Sequence, residues 1–372
     1  MQKKIIALAI ASALAMPAVA MADGDNVVIY GDANVSYDLV RTGGNNGVTV
    51  PKVSSNDSKF GFKGAEDLGD GLSAFWQVES VIDFDSGGNG GGNGHFANRD
   101  TFAGLAGSGW GSVAFGANGT AYKRTTRGWD QFGYTIADNR AIMGGGSFGT
   151  PVGSGLVGQG AGFDDGINNH IFYTSPNVNG FTGIVDYSTT TLGESRINST
   201  NPLTPKTTFF AAGANYDAGP LGLVVAYAKD SIDNVLGFNF DSHAIKFGAQ
   251  YTMDAFNFGA IYEKISDDSV FQQTHNDYYL FGKYTFGTDA IKAAYTHAGS
   301  QDFASNTGAK QYTFGYDHNL SKRTTLYALY TKLSNDTGAA YTFSPLGPTG
   351  TSVANGLGAS PSAISVGMKH TF

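Results

Sequence analysis

Side chains that could perform covalent or metal chemistry are sparse in this sequence, and their spacing matches no known site. The chain has no cysteine, so it has no thiol nucleophile, disulfide or thiolate metal site. Its seven histidines show no metal-binding spacing, and no G-x-S-x-G nucleophile elbow occurs. The glycine-rich run 87–94 lacks the Lys-Ser/Thr pair and the helix of a phosphate-binding loop. We therefore expect no enzyme, no metal and no cofactor.

Charged side chains are the other residues that could act, because rings of charge set ion selectivity in a pore. Since neighbouring side chains on a strand point to opposite faces, Phe60 and Phe62 place Lys59 and Lys63 on the polar face. The candidates on predicted strands are Asp32, Lys59, Lys63, Glu79 and Arg99. The candidates in a long loop predicted at 118–167 are Lys123, Arg124, Arg127, Asp130 and Asp138. We expect this loop to narrow a pore opposite a wall that contains Lys59, Lys63 and Arg99.

The composition excludes several classes of protein. A formal net charge of -8 argues against a nucleic-acid partner, which would require a basic surface. The 53 glycines among 372 residues are about twice the usual share, but 26 phenylalanines and 19 tyrosines are too many for a disordered chain. A mean hydropathy of -0.15 excludes a helical membrane bundle and is compatible with a membrane barrel, whose inner face is polar.

The first 22 residues are predicted to be a secretory signal peptide. Lys3 and Lys4 precede an apolar run at 5–16, and residues 20–22 form an A-x-A cleavage site. Cleavage after Ala22 would leave residues 23–372 as a single domain, exported through the inner membrane.

The rest of the chain alternates between apolar and polar residues with a period of two. In 241–252, for example, Phe247 and Tyr251 lie on one face, and Lys246 and Gln250 lie on the other. Sixteen strands are predicted in this way, at 26–39, 56–66, 71–84, 98–106, 110–117, 168–175, 181–190, 206–217, 221–231, 241–252, 255–265, 276–286, 289–299, 309–319, 322–333 and 362–372. Short connections alternate strictly with long ones, which include 40–55, 118–167 and 232–240.

This rhythm is typical of an all-β, 16-stranded antiparallel transmembrane β-barrel with short periplasmic turns and long external loops. Sixteen strands enclose a lumen too wide for side chains to fill, so the apolar face must contact outer-membrane lipid and the polar face must line water. The predicted function is a water-filled channel for passive diffusion of ions and small hydrophilic solutes. Two alternatives stay open, a structural or adhesion barrel and a barrel enzyme, neither of which has a general pore.

Several short motifs resemble the general porins of Gram-negative bacteria, of the neisserial and beta-proteobacterial type. The motifs lie at 28–31, 58–72, 102–105, 173–176 and 366–372, and 58–72 is the most specific of them. The resemblance implies a homotrimer in the outer membrane whose third external loop folds back into the lumen. Separately, the apolar alternating last strand that ends in Phe372 resembles the signal that outer-membrane barrels present to the barrel assembly machinery.

The chain departs from that family at three places where relatives often carry arginine. Here Asp32 follows the Tyr-Gly of the first strand, Ala117 stands where the fifth strand enters the long loop, and 166–169 reads Gly-Ile-Asn-Asn. Because the basic wall is thinned and the net charge is negative, we expect weak ion selectivity that favours cations.

Overall fold

The computed structural model describes residues 27–44, 47–86, 96–145, 162–189, 206–235, 238–267, 274–302, 304–343 and 356–372. The predicted signal peptide and its cleavage site lie outside the described residues. Within the described part of the chain, no helix is long and apolar enough to cross a membrane.

Seventeen strand segments form one closed antiparallel sheet. The segments are β1 (Val28–Arg41), β2 (Thr49–Ser55), β3 (Lys59–Gly69), β4 (Leu72–Val81), β5 (Thr101–Gly107), β6 (Gly111–Gly119), β7 (Gly166–Thr174), β8 (Phe181–Ser188), β9 (Lys206–Ala218), β10 (Leu221–Val235), β11 (Phe238–Met253), β12 (Phe256–Asp267), β13 (His275–Phe286), β14 (Asp289–Ala298), β15 (Ala309–Asn319), β16 (Thr324–Asn335) and β17 (Ser362–Thr371). Each segment from β3 onward pairs with the next in the chain, and β1 pairs with β17 to close the barrel. These segments make sixteen barrel strands, because β2 and β3 follow one another along the same side of β1.

The sixteen-stranded antiparallel barrel is therefore confirmed, but two of the predicted long connections are wrong. The connection predicted at 40–55 contains β2, which pairs with β1 from Val35 to Arg41. Most of the connection predicted at 232–240 belongs to strands. β10 continues to Val235, and β11 begins at Phe238. In both places the strands extend several residues further than the hydrophobic alternation indicates.

The side chains on the two faces of the barrel follow the predicted order. On β1, Tyr37 and Leu39 are exposed, whereas the alternating Ser36 and Asp38 are buried. A soluble protein would show the reverse, with the apolar residues buried. The apolar residues that face outward on the other strands are exposed in the same way, so the outer face of the barrel matches a lipid environment.

The connection between β6 and β7, residues 120–165, is named the inner loop here. It contains the helix α1 (Ala121–Thr126) and short 3-10 turns at Arg127–Trp129, Asn139–Ala141 and Met143–Gly145. Thr120 starts α1 because its side-chain oxygen accepts a hydrogen bond from the Lys123 amide at 3.0 Å. Its described residues, 120–145 and 162–165, contact inward-facing side chains on several sides of the barrel, so the inner loop lies within the lumen.

Candidate pore constriction

The inner loop is attached to one side of the barrel at both of its ends. Near its start, the buried Tyr122 hydroxyl donates to the Glu263 carboxylate on β12 at 2.6 Å. The Gly144 amide donates to the other oxygen of Glu263 at 2.7 Å. Near the end of the loop, Asp164 pairs with Lys246 on β11 at 2.7 Å. Glu263 and Lys246 are themselves buried, so these contacts are protected from water and hold the loop against β11 and β12.

The middle of the inner loop reaches across the lumen to other strands. The Asn34 amide on β1 donates to the Tyr134 carbonyl at 2.7 Å. On β14, the Lys292 ammonium donates to the Gln131 carbonyl at 2.9 Å. A close approach also occurs at Gly315 on β15, because a Cβ atom there would lie 2.6 Å from the Phe132 ring. The loop is thus docked on opposite sides of the barrel and divides its lumen.

Asp138 organises the middle of the loop. It is fully buried and accepts hydrogen bonds from the Arg127 guanidinium at 2.9 Å, the Tyr134 amide at 2.9 Å and the Arg140 amide at 3.0 Å. Burial disfavours its ionised form, but the charges of Arg127 and Arg140 outweigh this and lower the pKa of Asp138. Asp138 therefore stays ionised and fixes the two arginines that flank it.

Asp130 lies 3.9 Å from Arg127, and its pKa is shifted in the opposite direction to that of Asp138. Burial and the nearby charge of Asp138 raise the pKa of Asp130 to about 6, although Arg127 partly opposes this shift. Tyr279 on β13 donates to Asp130 at 3.0 Å, and Lys292 on β14 also contributes positive charge near it. Asp130 is therefore the loop carboxylate whose charge changes between neutral and mildly acidic pH.

The predicted wall residues form a second cluster. Glu79 on β4 accepts from Lys59 at 3.0 Å and from the Arg99 guanidinium at 2.8 Å. Arg99 also forms a bidentate pair with Asp57. Asp32 lies directly opposite Lys59 in the register of β1 and β3. The structure thus brings Lys59, Glu79 and Arg99 together.

The other predicted site residues have no ion pair with this cluster. The Lys63 ammonium stands at its edge, 4.9 Å from the centre of the Tyr30 ring, whose hydroxyl donates to Glu79 at 3.1 Å. Arg124 pairs with Asp186 on β8 at 2.6 Å, on the side of the lumen where α1 packs. Lys123 has no ion pair among the described residues; burial and the neighbouring charge of Arg140 lower its pKa.

Tyr134 links the inner loop to the wall, although sequence reasoning did not identify it. The Arg127 guanidinium lies over its ring at 3.6 Å, and the Lys369 ammonium of β17 is 6.0 Å from the ring centre. Burial favours the neutral phenol, but Arg127, Lys123 and Lys59 together lower the pKa of Tyr134. The field at this tyrosine is therefore positive.

The exposed fractions of the paired charges show which sign faces the water. The side chains of Lys59, Arg99 and Arg127 are 20%, 15% and 12% exposed. Their partners Glu79 and Asp138 are 1% and 0% exposed. At these pairs the carboxylates stand behind the cations, so a solute near Tyr134 meets the cations first. At two other pairs the order is reversed, because Asp317 and Asp165 are 16% and 55% exposed and their partners Lys292 and Arg140 are 12% and 7% exposed.

Comparison with known proteins agrees with this architecture. The family model for Gram-negative porins matches residues 7–338. The outer membrane porin protein 32 of Delftia acidovorans is 30% identical over the full length of both chains. The major outer membrane protein P.IB of Neisseria meningitidis is 29% identical over 87% of this chain and 91% of that protein. An anion-selective porin from Comamonas acidovorans has the same fold, with a TM-score of 0.78 and 24% identity over 94% of this chain and all of that one.

The chain belongs to the Gram-negative porins. It is an outer-membrane protein that forms a channel for passive diffusion. These findings favour the channel over the two alternatives, a structural or adhesion barrel and a barrel enzyme.

Proposed function

We propose that the inner loop, predicted at 118–167, is the constriction of this channel and that the constriction gives small anions a modest advantage over cations. The proposal reverses the cation preference expected from the net charge. The observation that carries it is the exposure of Lys59, Arg99 and Arg127 in front of their buried carboxylates. A net charge counts all ionised groups equally, whereas a passing ion interacts most strongly with the least shielded ones.

The cations around Tyr134 support this sign. Lys59, Arg99 and Arg127 each have a buried counter-charge, and Lys123 and Lys369 have no ion pair among the described residues. Because the carboxylates compensate most of this positive charge, we expect a modest preference. Small hydrophilic solutes of either sign pass when they fit. The likeness to the anion-selective porin of Comamonas acidovorans is a likeness of fold, so the proposal rests on the side chains.

Reversal potentials in a KCl gradient across planar bilayers test the proposal. The wild type is expected to pass chloride more readily than potassium. Lys123→Gln should reduce this preference, because it removes from the constriction a positive charge that has no ion pair among the described residues. Lys310→Gln is the matched control, since Lys310 is exposed on β15 and points away from the lumen. A wild type that prefers potassium would contradict the proposal.

The remaining parts of the proposal concern export and assembly. We infer cleavage after Ala22, which N-terminal sequencing of the purified protein tests. Membership of the porin family supports a homotrimer, and a shift to one-third of the apparent mass on heating before electrophoresis is the expected sign of it. Phe372 closes the barrel by exchanging backbone hydrogen bonds of 3.0 Å with Gly31, a position that suits a terminal signal for the assembly machinery.

A further inference from the structure

We propose that the lumen wall beside the constriction holds a subsite for a small organic carboxylate with an apolar body. This inference rests on the proposed function, because the subsite specifies the class of anion that an anion-preferring constriction would retain. The site is a cavity of about 200 Å³ between the inner loop and strands β14 to β17. The lining residues that carry the argument are Phe132, Lys292, Asp317, Tyr327, Leu329 and Lys369.

The cavity contains one cation whose charge is not compensated. The Lys292 ammonium is 2.9 Å from the Asp317 carboxylate, so the charges of Lys292 and Asp317 neutralise one another. Lys292 also donates to the Gln131 carbonyl. Lys369 has no ion pair among the described residues, and its nearest aromatic neighbour is the Tyr134 ring at 6.0 Å. The cavity therefore has a net charge of one positive unit, which matches a single carboxylate.

One wall of the cavity is apolar and rigid, and Asn34, Gln131, Thr135 and Thr325 complete the lining. Phe132, Tyr327 and Leu329 belong to one cluster of buried side chains. The Phe132 ring is held against Gly315, and the Tyr327 hydroxyl donates to Asn34 at 3.1 Å. A hydrocarbon or aromatic body placed here would lose contact with water without displacing these side chains. The volume is below the roughly 300–1,000 Å³ of sites for drug-sized ligands, so the occupant is small.

The hydrogen-bonding groups at this cavity argue against a sugar. The Asn34 amide already donates to the Tyr134 carbonyl, and its oxygen accepts from Tyr327. A neutral sugar needs several free partners for its hydroxyls, because buried polar groups without partners are costly. One ammonium with an apolar floor fits a monocarboxylate better than a sugar.

Block of single-channel current by three probes tests the subsite. Benzoate has both the charge and the apolar body, acetate has the charge, and benzyl alcohol has the body. Benzoate is expected to reduce the current through the wild type at concentrations at which the other two do not. Lys369→Gln should raise the half-blocking concentration of benzoate about tenfold, the effect of losing one charge-assisted contact. Lys63→Gln is the matched control, because Lys63 faces the same lumen beside Tyr30 and outside this cavity.

The outcomes separate the subsite from the proposed function. Equal block by benzoate and acetate, or equal effects of the two substitutions, would overturn the subsite and leave the anion preference standing. Absence of benzoate block in an anion-selective wild type would overturn it as well. The three-probe comparison uses the wild type, so it decides the question even when Lys369→Gln fails to assemble. A cation-selective wild type would instead contradict the proposed function.

Discussion

Asp138→Asn should release the inner loop while the barrel stays folded. In the wild type, one carboxylate oxygen accepts from Arg127 and from the Tyr134 amide, and the other accepts from Arg140. An asparagine keeps one of these oxygens as an acceptor and loses the negative charge, and its NH₂ group cannot accept from the arginine on the other side. The substitution therefore leaves Arg127 or Arg140, both nearly buried, without its main acceptor.

The expected cost can be set from this geometry. Removing one partner of a buried ion pair costs about 3–5 kcal/mol. Arg127 keeps a second carboxylate, Asp130, at 3.9 Å, so the lower end of that range applies. About 3 kcal/mol changes the ratio of docked to released loop by roughly a hundredfold. The strand hydrogen bonds of the barrel do not involve Asp138, so the free energy of unfolding of the barrel should change little.

Single-channel recording in planar bilayers is the assay for this prediction. Asp138→Asn should show a noisier open channel and a changed conductance, because the loop no longer holds one position. Asp165→Asn is the matched control. Asp165 lies 3.9 Å from Arg140 but its side chain is 55% exposed, so its pair contributes about 0–1 kcal/mol. Heat-modifiable gel mobility checks that both barrels are folded. A folded Asp138→Asn channel with wild-type conductance and noise would refute the role given to Asp138.

Three further predictions concern other parts of the molecule. Acidification through about pH 6 should strengthen the anion preference in reversal-potential measurements, because it neutralises Asp130. Asp130→Asn should abolish this pH dependence, and an unchanged pH dependence in the variant would assign the titration to another group. Tyr122→Phe should increase open-channel noise through loss of a buried hydrogen bond of about 1–2 kcal/mol. The control is Tyr173→Phe, whose hydroxyl makes an exposed bond, and equal noise in the two variants would count against the attachment of the loop. Phe372→Ala should reduce the amount of heat-modifiable protein in the outer membrane more than Phe286→Ala, an outward aromatic at another strand end; equal yields would rule out a special role for the terminal residue.

The strands and their two faces could be predicted because lipid outside and water inside impose a period of two on every strand. Phe247 and Tyr251 are exposed on the outer face, and Lys246, next to Phe247, is buried in the lumen, as the alternation predicts. This constraint acts along the whole barrel, so it is visible without knowledge of which strands pair.

The two extended strands could not be predicted because their ends carry turn-forming residues. β2 contains Pro51, which lacks a backbone donor, and is followed by Asp57 with a φ of 59°. β2 is paired with β1, and no other described strand pairs with it, so the proline is tolerated. Asn234 likewise favours a turn, but it lies within β10, whose pairing with β11 reaches Val235.

The identity of the charged residues could be predicted, but their partners could not. Periodicity places Lys59 and Glu79 on the polar face, and it contains no information about the distance between them. Arg124 and Asp186 are 62 residues apart and meet because α1 packs against β8 to β10. Tyr134 was missed because an isolated aromatic residue in a loop has no distinguishing pattern. The sign of the exposed charge depends on these pairings, which neither the net charge nor the missing arginines reveal.

Swelling of liposomes that contain the purified protein, in a series of neutral sugars of increasing size, tests the central claim most directly. A water-filled channel narrowed by the inner loop predicts rapid swelling with the smallest sugars and a steep fall in rate as the sugar grows. Absence of swelling with every sugar, from protein that is folded and trimeric on gels, would contradict the claim that this porin is an open diffusion channel.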